Sequence, residues 1–168
     1  VGTSSLRRLT QLKRLRKDLR CGPLRGNVET RIRKVKEGEL DAIIVAQAGL
    51  NRLDRSDIQG LQLPPEQFIP APGQGALAVQ CRCEDNELCE LLGCLDDATT
   101  RRAVETERRI LAGLHGGCSI PLGVYARIEN ETMHIHVIVC HPSAPHHIRK
   151  TRSFCTEKAD GSADRLTQ

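Results

Sequence analysis

The residues best able to do chemistry in this 168-residue chain are arginines placed beside turns, together with one cysteine in a glycine loop. "GTSSLRR" (residues 2–8) puts a glycine and three hydroxyls ahead of a helical pattern, with Arg7 and Arg8 on its first turn. The free N–H groups and dipole of such an end favour anions, and Thr3, Ser4 or Ser5 can cap it. "LRGNVETRIRK" sets Arg25 between an extended piece and a Gly-Asn turn, followed by Arg31 and Arg33. Arg52 stands in the equivalent place behind the next apolar run. Guanidinium grips carboxylate or phosphate through two parallel hydrogen bonds, so arginine at such turns suggests those ligands. A plain capped helix with solvated cations is the competing account. "LHGGCSIP" holds Cys118 between a pair of glycines and a proline. It is either a small buried residue at a tight turn or a thiol that another molecule can reach.

Net charge is only +4, but the basic residues crowd into residues 1–36, where only Asp18 and Glu29 oppose them. An anionic partner follows from that density. Nucleic acid is disfavoured: Phe68, Tyr125 and Phe154 are the only aromatics, none of them in the basic stretch, so stacking platforms are lacking. Zinc is a weak rival. Cys81, Cys83, Cys89 and Cys94 lack the paired spacing of structural sites, and Cys89 and Cys94 fall in an apolar helical pattern that predicts burial. No metal is expected. Eight irregularly spaced cysteines beside long amphipathic segments suit a reduced interior, and a cytoplasmic location is expected, with plastid or mitochondrion as alternatives. No apolar run approaches the roughly 20 residues of a membrane span.

The elements that must carry these residues alternate. Leucines at 6, 9, 12, 15 and 19 predict a helix, residues 28–38 a second one stopped at Gly38, and "LDAIIVA" (40–46) a buried parallel strand. A Pro/Gly-rich connection leads into a strand over 76–81, then helices over 86–95 and 99–114, the latter capped by Thr99 or Thr100. Beyond it the period becomes two, predicting strands at 123–129, 133–140 and 148–155 with a turn near "ENET". The α/β layer thus gives way to a small α+β unit near Asp96 and Asp97. The chain opens without Met directly on a helix cap and closes inside a helical pattern, so a longer parent is expected.

"GTSSLRR", "LRGNVETR", "LDAIIVAQAGLNRL", "PAPGQGALAVQCR" and "ETERRILAGLHGGCSIPLGVYA", in that order, resemble the porphobilinogen deaminase (hydroxymethylbilane synthase) family over about residues 1–128. The resemblance implies a periplasmic-binding-protein-like α/β domain followed by a small α+β domain with a three-stranded antiparallel sheet. Residues 1–73 would be most of the second domain, 74–95 a crossing segment belonging to domain one, and 96–168 the C-terminal domain. It implies a transferase that polymerises four porphobilinogens, each losing ammonia, on a dipyrromethane cofactor held as a thioether. Cys118 matches the attachment position. Thr3, Ser4, Ser5, Arg7, Arg8, Arg25, Arg31, Ala46, Ala48, Arg52, Gln74 and Gly75 match cofactor and substrate ligands. The partners implied are porphobilinogen and the growing polypyrrole chain, without nucleic acid or membrane, and the full-length enzyme would be a monomer. The family's catalytic aspartate lies upstream of Val1, so the isolated chain is expected to be inactive. The alternative is a non-enzymatic anion-binding module with a structural Cys118.

Overall fold

The computed structural model describes residues 1–114, 121–141 and 146–155. Helix α1 (Leu6–Leu15) and helix α2 (Val28–Lys36) are each followed by an extended segment. Gly2 bridges both Gly22 and Ile43 in parallel, so α1 and α2 act as crossovers between three adjacent extended pieces. Gly2 is needed there. A Cβ on it would come within 2.7 Å of Leu40 Cδ1.

Helix α3 (Gln47–Arg52), helix α4 (Asn86–Gly93) and helix α5 (Ala98–Gly113) follow. Strands β1 (Leu122–Glu129), β2 (Thr132–Cys140) and β3 (His147–Cys155) then form an antiparallel sheet in the order β1-β2-β3. The β1–β2 turn places Asn130 and Glu131 at φ 47° and 58°, the backbone of a two-residue hairpin whose twist suits the strands. Helix α5 lays Ala103 and Ile110 on the sheet face formed by Leu122, Val124, Ala126, Met133, Ile135 and Val137. The opposite face receives Ile69 against Ile138 and Cys140. Val124 N–H donates to the Pro70 carbonyl at 3.0 Å, so the 68–70 segment ties the first half of the chain to the sheet. The architecture is mixed α/β followed by a small α+β unit with a three-stranded antiparallel sheet.

Three expectations change. The 40–46 run does lie parallel to its neighbour, but as a single bridge, and Ile43–Ala46 remain half-buried. The 76–81 run is not a strand: Leu77 is 80% and Val79 63% exposed. Its composition favours β structure, yet pairing needs a neighbour, and none of the described strands borders it. The α5 cap is Asp97, whose carboxylate accepts from Thr100 N–H at 2.6 Å, in place of Thr99 or Thr100. Among the described residues no helix is long and apolar enough to cross a membrane.

Candidate functional site

Ser5 caps α1, its Oγ accepting from Arg8 N–H at 3.4 Å, and Thr3 Oγ1 accepts from Ser5 N–H at 3.3 Å. Ser4 is committed elsewhere. Its Oγ donates to the Leu24 carbonyl and accepts from Leu24 N–H, both at 2.8 Å, which holds the segment before Arg25 against the start of α1. No acidic residue occupies the first turn of α1. Arg7 and Arg8 sit there instead, two cations at the positive end of a helix dipole.

Arg7 is buried, with Nη1 donating to the Ile69 carbonyl at 2.5 Å and Nη2 reaching Gln74 Oε1 at 3.5 Å. Burial first, and the neighbouring Arg8 charge second, push its pKa down to about 10. Arg8 donates to the Ile44 carbonyl at 2.8 Å; burial and then the Arg31 charge lower its pKa too. Arg31 Nε donates to the Gly26 carbonyl at 2.8 Å, while Arg25 is exposed. Arg52, at the end of α3, reaches the Gly75 carbonyl at 3.5 Å. Gly75 has φ +96°, and a Cβ on it would touch Ala48 at 4.0 Å. Ala46, the N-cap of α3, makes no side-chain cap bond; its carbonyl instead accepts from Gly49 N–H at 2.9 Å.

The structure therefore brings Arg7, Gln74, Gly75, Ala48 and Arg52 along one line of contacts, and sets the charge of Arg31 beside Arg8, which holds the Ile44 carbonyl. None of Arg7, Arg8, Arg25, Arg31 and Arg52 is ion-paired among the described residues. Some arginines elsewhere are paired. Arg55 is bracketed by Glu29 at 2.8 Å and Asp57 at 2.7 Å, and Arg33 meets Glu37 at 2.7 Å. The arginines of the candidate site are therefore open to an external anion, although Arg14, Arg20, Arg149 and Arg152 also lack an acidic partner among the described residues. Cys118 lies outside the described residues.

Residues 1–90 match the family model described as porphobilinogen deaminase, dipyromethane cofactor binding domain. Residues 101–162 match that of the porphobilinogen deaminase C-terminal domain. The chain belongs to the porphobilinogen deaminase family. It is 53% identical over 128 residues to a porphobilinogen deaminase of Mycolicibacterium gilvum, covering 76% of this chain and 41% of the relative. The corresponding protein of Mycobacterium tuberculosis is 55% identical over 128 residues, again 76% and 41%. That of Syntrophobacter fumaroxidans is 49% identical over 133 residues, 79% and 43%. The chain thus spans about two fifths of the length of the curated relatives it matches.

Two residues that position this arginine cluster escape a reading of the sequence. Gln11, fully buried, accepts from Ile69 N–H at 2.7 Å and donates to the Ile69 carbonyl at 3.0 Å. It thereby presents the same carbonyl that Arg7 holds. Glu107 accepts from Gly73 N–H at 2.5 Å and from Ala126 N–H at 2.7 Å, clamping the turn that carries Gln74 and Gly75 onto β1. Burial pushes its pKa up, and the two backbone hydrogen bonds partly oppose this. A signal existed for Glu107: it falls on the apolar stripe of α5, between Ala103 and Ile110. Gln11 gave a weaker one, four residues after Arg7 on the same helix face. Cys89 and Cys94 are corrected as well. Cys94 is exposed, Cys89 is only partly covered, and α4 buries no side chain, so the apolar pattern there has no core to face. Among the described residues no group of three or more His, Cys, Asp or Glu is placed to hold a metal.

Proposed function

We propose that this chain is the carboxylate-gripping and cofactor-bearing part of a hydroxymethylbilane synthase, a transferase that joins four porphobilinogens with loss of ammonia. The observation that carries the reading is the set of five arginines that lack acidic partners among the described residues, gathered around the start of α1, the 44–48 segment and the Gln74–Gly75 turn. Acetate and propionate groups of pyrroles fit such a donor set. Arg8, Arg25, Arg31 and Arg52 would bind those carboxylates, with Ser5 and the backbone of Ala46, Ala48 and Gly75 completing the wall. Arg7 would act at the inner edge, where its charge is already bent toward Ile69 and Gln74. A dipyrromethane attached through Cys118 supplies the terminal pyrrole from which the product is extended. The residues described here hold and orient anions; none is a carboxylate aimed at the cluster, and stabilising a cationic pyrrole needs one.

The domain assignment is part of the same proposal. Residues 1–73 form a portion of a periplasmic-binding-protein-like α/β domain, and 74–95 cross to a separate domain. The exposed Leu77 and Val79 and the unburied α4 support that crossing. The decisive test joins the upstream part of the Mycolicibacterium gilvum relative to this chain. The 168 residues alone, given porphobilinogen, should yield no uroporphyrin absorbance after oxidation. The joined chain should turn over, carry extra intact mass and colour with Ehrlich's aldehyde. Cys118→Ser should remove the mass and the colour, and Arg25→Lys should impair elongation by losing the two-point grip. A joined chain with neither covalent pyrrole nor turnover, beside an active relative, overturns the proposal.

A further inference from the structure

The extended segment ending at Cys81 runs into a tight turn. Asp85 N–H donates to the Arg82 carbonyl at 3.3 Å, and Cys89 N–H donates to the Asp85 carbonyl at 2.9 Å. Asp85 also caps α4 through Leu88 N–H at 3.2 Å. The first turn of α4 is thereby folded back over residue 81, and the Cys81 and Cys89 sulfurs lie 3.5 Å apart. The nearby cysteines point elsewhere: Cys83 at the Glu84 carboxylate, 3.0 Å, and Cys94 at the Leu91 carbonyl, 2.9 Å. Both members of the pair are free thiols with partial exposure, and α4 has no buried side chain to resist a small shift. A disulfide bond is about 2.05 Å long, so closure needs an approach of roughly 1.5 Å.

We propose that Cys81 and Cys89 are a dithiol modification site that closes into a reversible disulfide by exchange with a low-molecular-weight disulfide. The Cys81 thiolate attacks one sulfur of the small disulfide, forming a mixed disulfide and expelling one small thiolate. Cys89 then loses its proton to solvent and attacks the Cys81 sulfur, expelling the second. The two protein thiols lose two electrons in total, and the small disulfide is reduced to two thiols, which take up the two protons. The Cys81 sulfur beside it pushes the Cys89 pKa up, so Cys81, rather than Cys89, makes the first attack. The closed bond would fix the Arg82–Asp85 turn and the direction in which α4 leaves the exposed 76–81 segment.

The test equilibrates the full 168-residue chain in glutathione buffers of rising oxidised fraction, alkylates free thiols under denaturing conditions and maps tryptic peptides by mass. Trypsin cuts at Arg82, so the bridge joins two otherwise separate peptides. The bridge should half-form at an oxidised fraction at least about ten-fold below that needed to glutathionylate Cys83, because its second thiol is intramolecular. It should persist in a Cys83→Ser/Cys94→Ser double variant. Cys89→Ser should leave only glutathionylated Cys81. Separate glutathionylation of Cys81 and Cys89 at the same fraction as Cys83 overturns the proposal. So does a bridge that forms equally well from Cys83 or Cys94 to Cys81.

Discussion

The two halves of the chain meet opposite demands. The C-terminal unit completes itself: β2 is laddered on both sides, and Ile110, Val124 and Ile135 are wholly buried against one another. The first half is held by single parallel bridges and buries polar groups, Thr3, Arg7, Thr10 and Gln11. Its cations lie close enough to depress one another, and the nearest acceptors are backbone carbonyls. A region whose charges are hydrogen-bonded but not neutralised is arranged for a ligand. In the C-terminal unit only Arg149 among the described residues is shown held in a similar way, by the Glu66 and Gln67 carbonyls, and the unit contributes Glu107 and a rigid sheet against which the other half is set.

The difference predicts unequal responses to truncation. Ile135→Ala in the sheet should cost about 2–5 kcal/mol, the range for deleting a fully buried aliphatic side chain. Leu77→Ala, in the extended segment of the first half, should change stability by no more than about 0.5 kcal/mol, as for surface positions. Denaturant unfolding of both variants measures this. Similar losses at the two sites would mean that the 76–81 segment is buried in solution and the contrast is false.

What was legible in the sequence follows the same division. The C-terminal strands announce themselves because their period, the hairpin turn at Asn130–Glu131 and the pairing partner all lie within some 35 residues, from 122 to 155. The 76–81 run has the same composition and no partner, and composition alone cannot supply one. The site arginines were visible as residue types at turns. Their acceptors were not, since Arg7 reaches Ile69 across 62 residues and Arg8 reaches Ile44 across 36. Ser4 shows the limit from the other side: as a hydroxyl ahead of a helix it suggested a ligand, and its bonds go to Leu24.

Glu107 joins the two halves, and removing its charge tests how firmly. Glu107→Gln keeps one carbonyl acceptor but turns an amide NH2 toward the second backbone N–H, leaving Gly73 or Ala126 unpaired. The expected cost is about 1–3 kcal/mol. The sign of the pH dependence is fixed by the raised pKa. From the ordinary value of 4.5 upward to the raised one, the native state binds more protons than the unfolded state. Stability of the parent therefore falls as pH rises through that window. The glutamine variant lacks this slope, so its deficit is largest at the acidic end and narrows as pH rises. Thermal melts of both proteins across the window measure the difference. A deficit that widens with pH would mean the buried carboxylate is stabilised as the anion, contrary to its burial.

The smallest expected effect separates the two kinds of arginine. Arg25 makes no hydrogen bond or ion pair among the described residues, whereas Arg101 of α5 is held by Asp96 at 2.7 Å. Arg25→Ala should therefore leave stability within about 0.5 kcal/mol in chloride buffer. Citrate, a small polycarboxylate, should stabilise the parent beyond chloride of equal ionic strength, by about 1.4 kcal/mol at ten times its dissociation constant. The logic is linkage: an anion that binds between uncompensated cations binds the native state alone, because the unfolded chain does not gather Arg8, Arg25 and Arg31. Arg25→Ala should shrink that increment, and Arg101→Ala should not, since Asp96 already neutralises its charge. Differential scanning at several citrate concentrations reads the increments directly. Equal shrinkage in both variants would show that citrate acts through net charge, and the distinction between paired and unpaired arginines would lose its functional meaning.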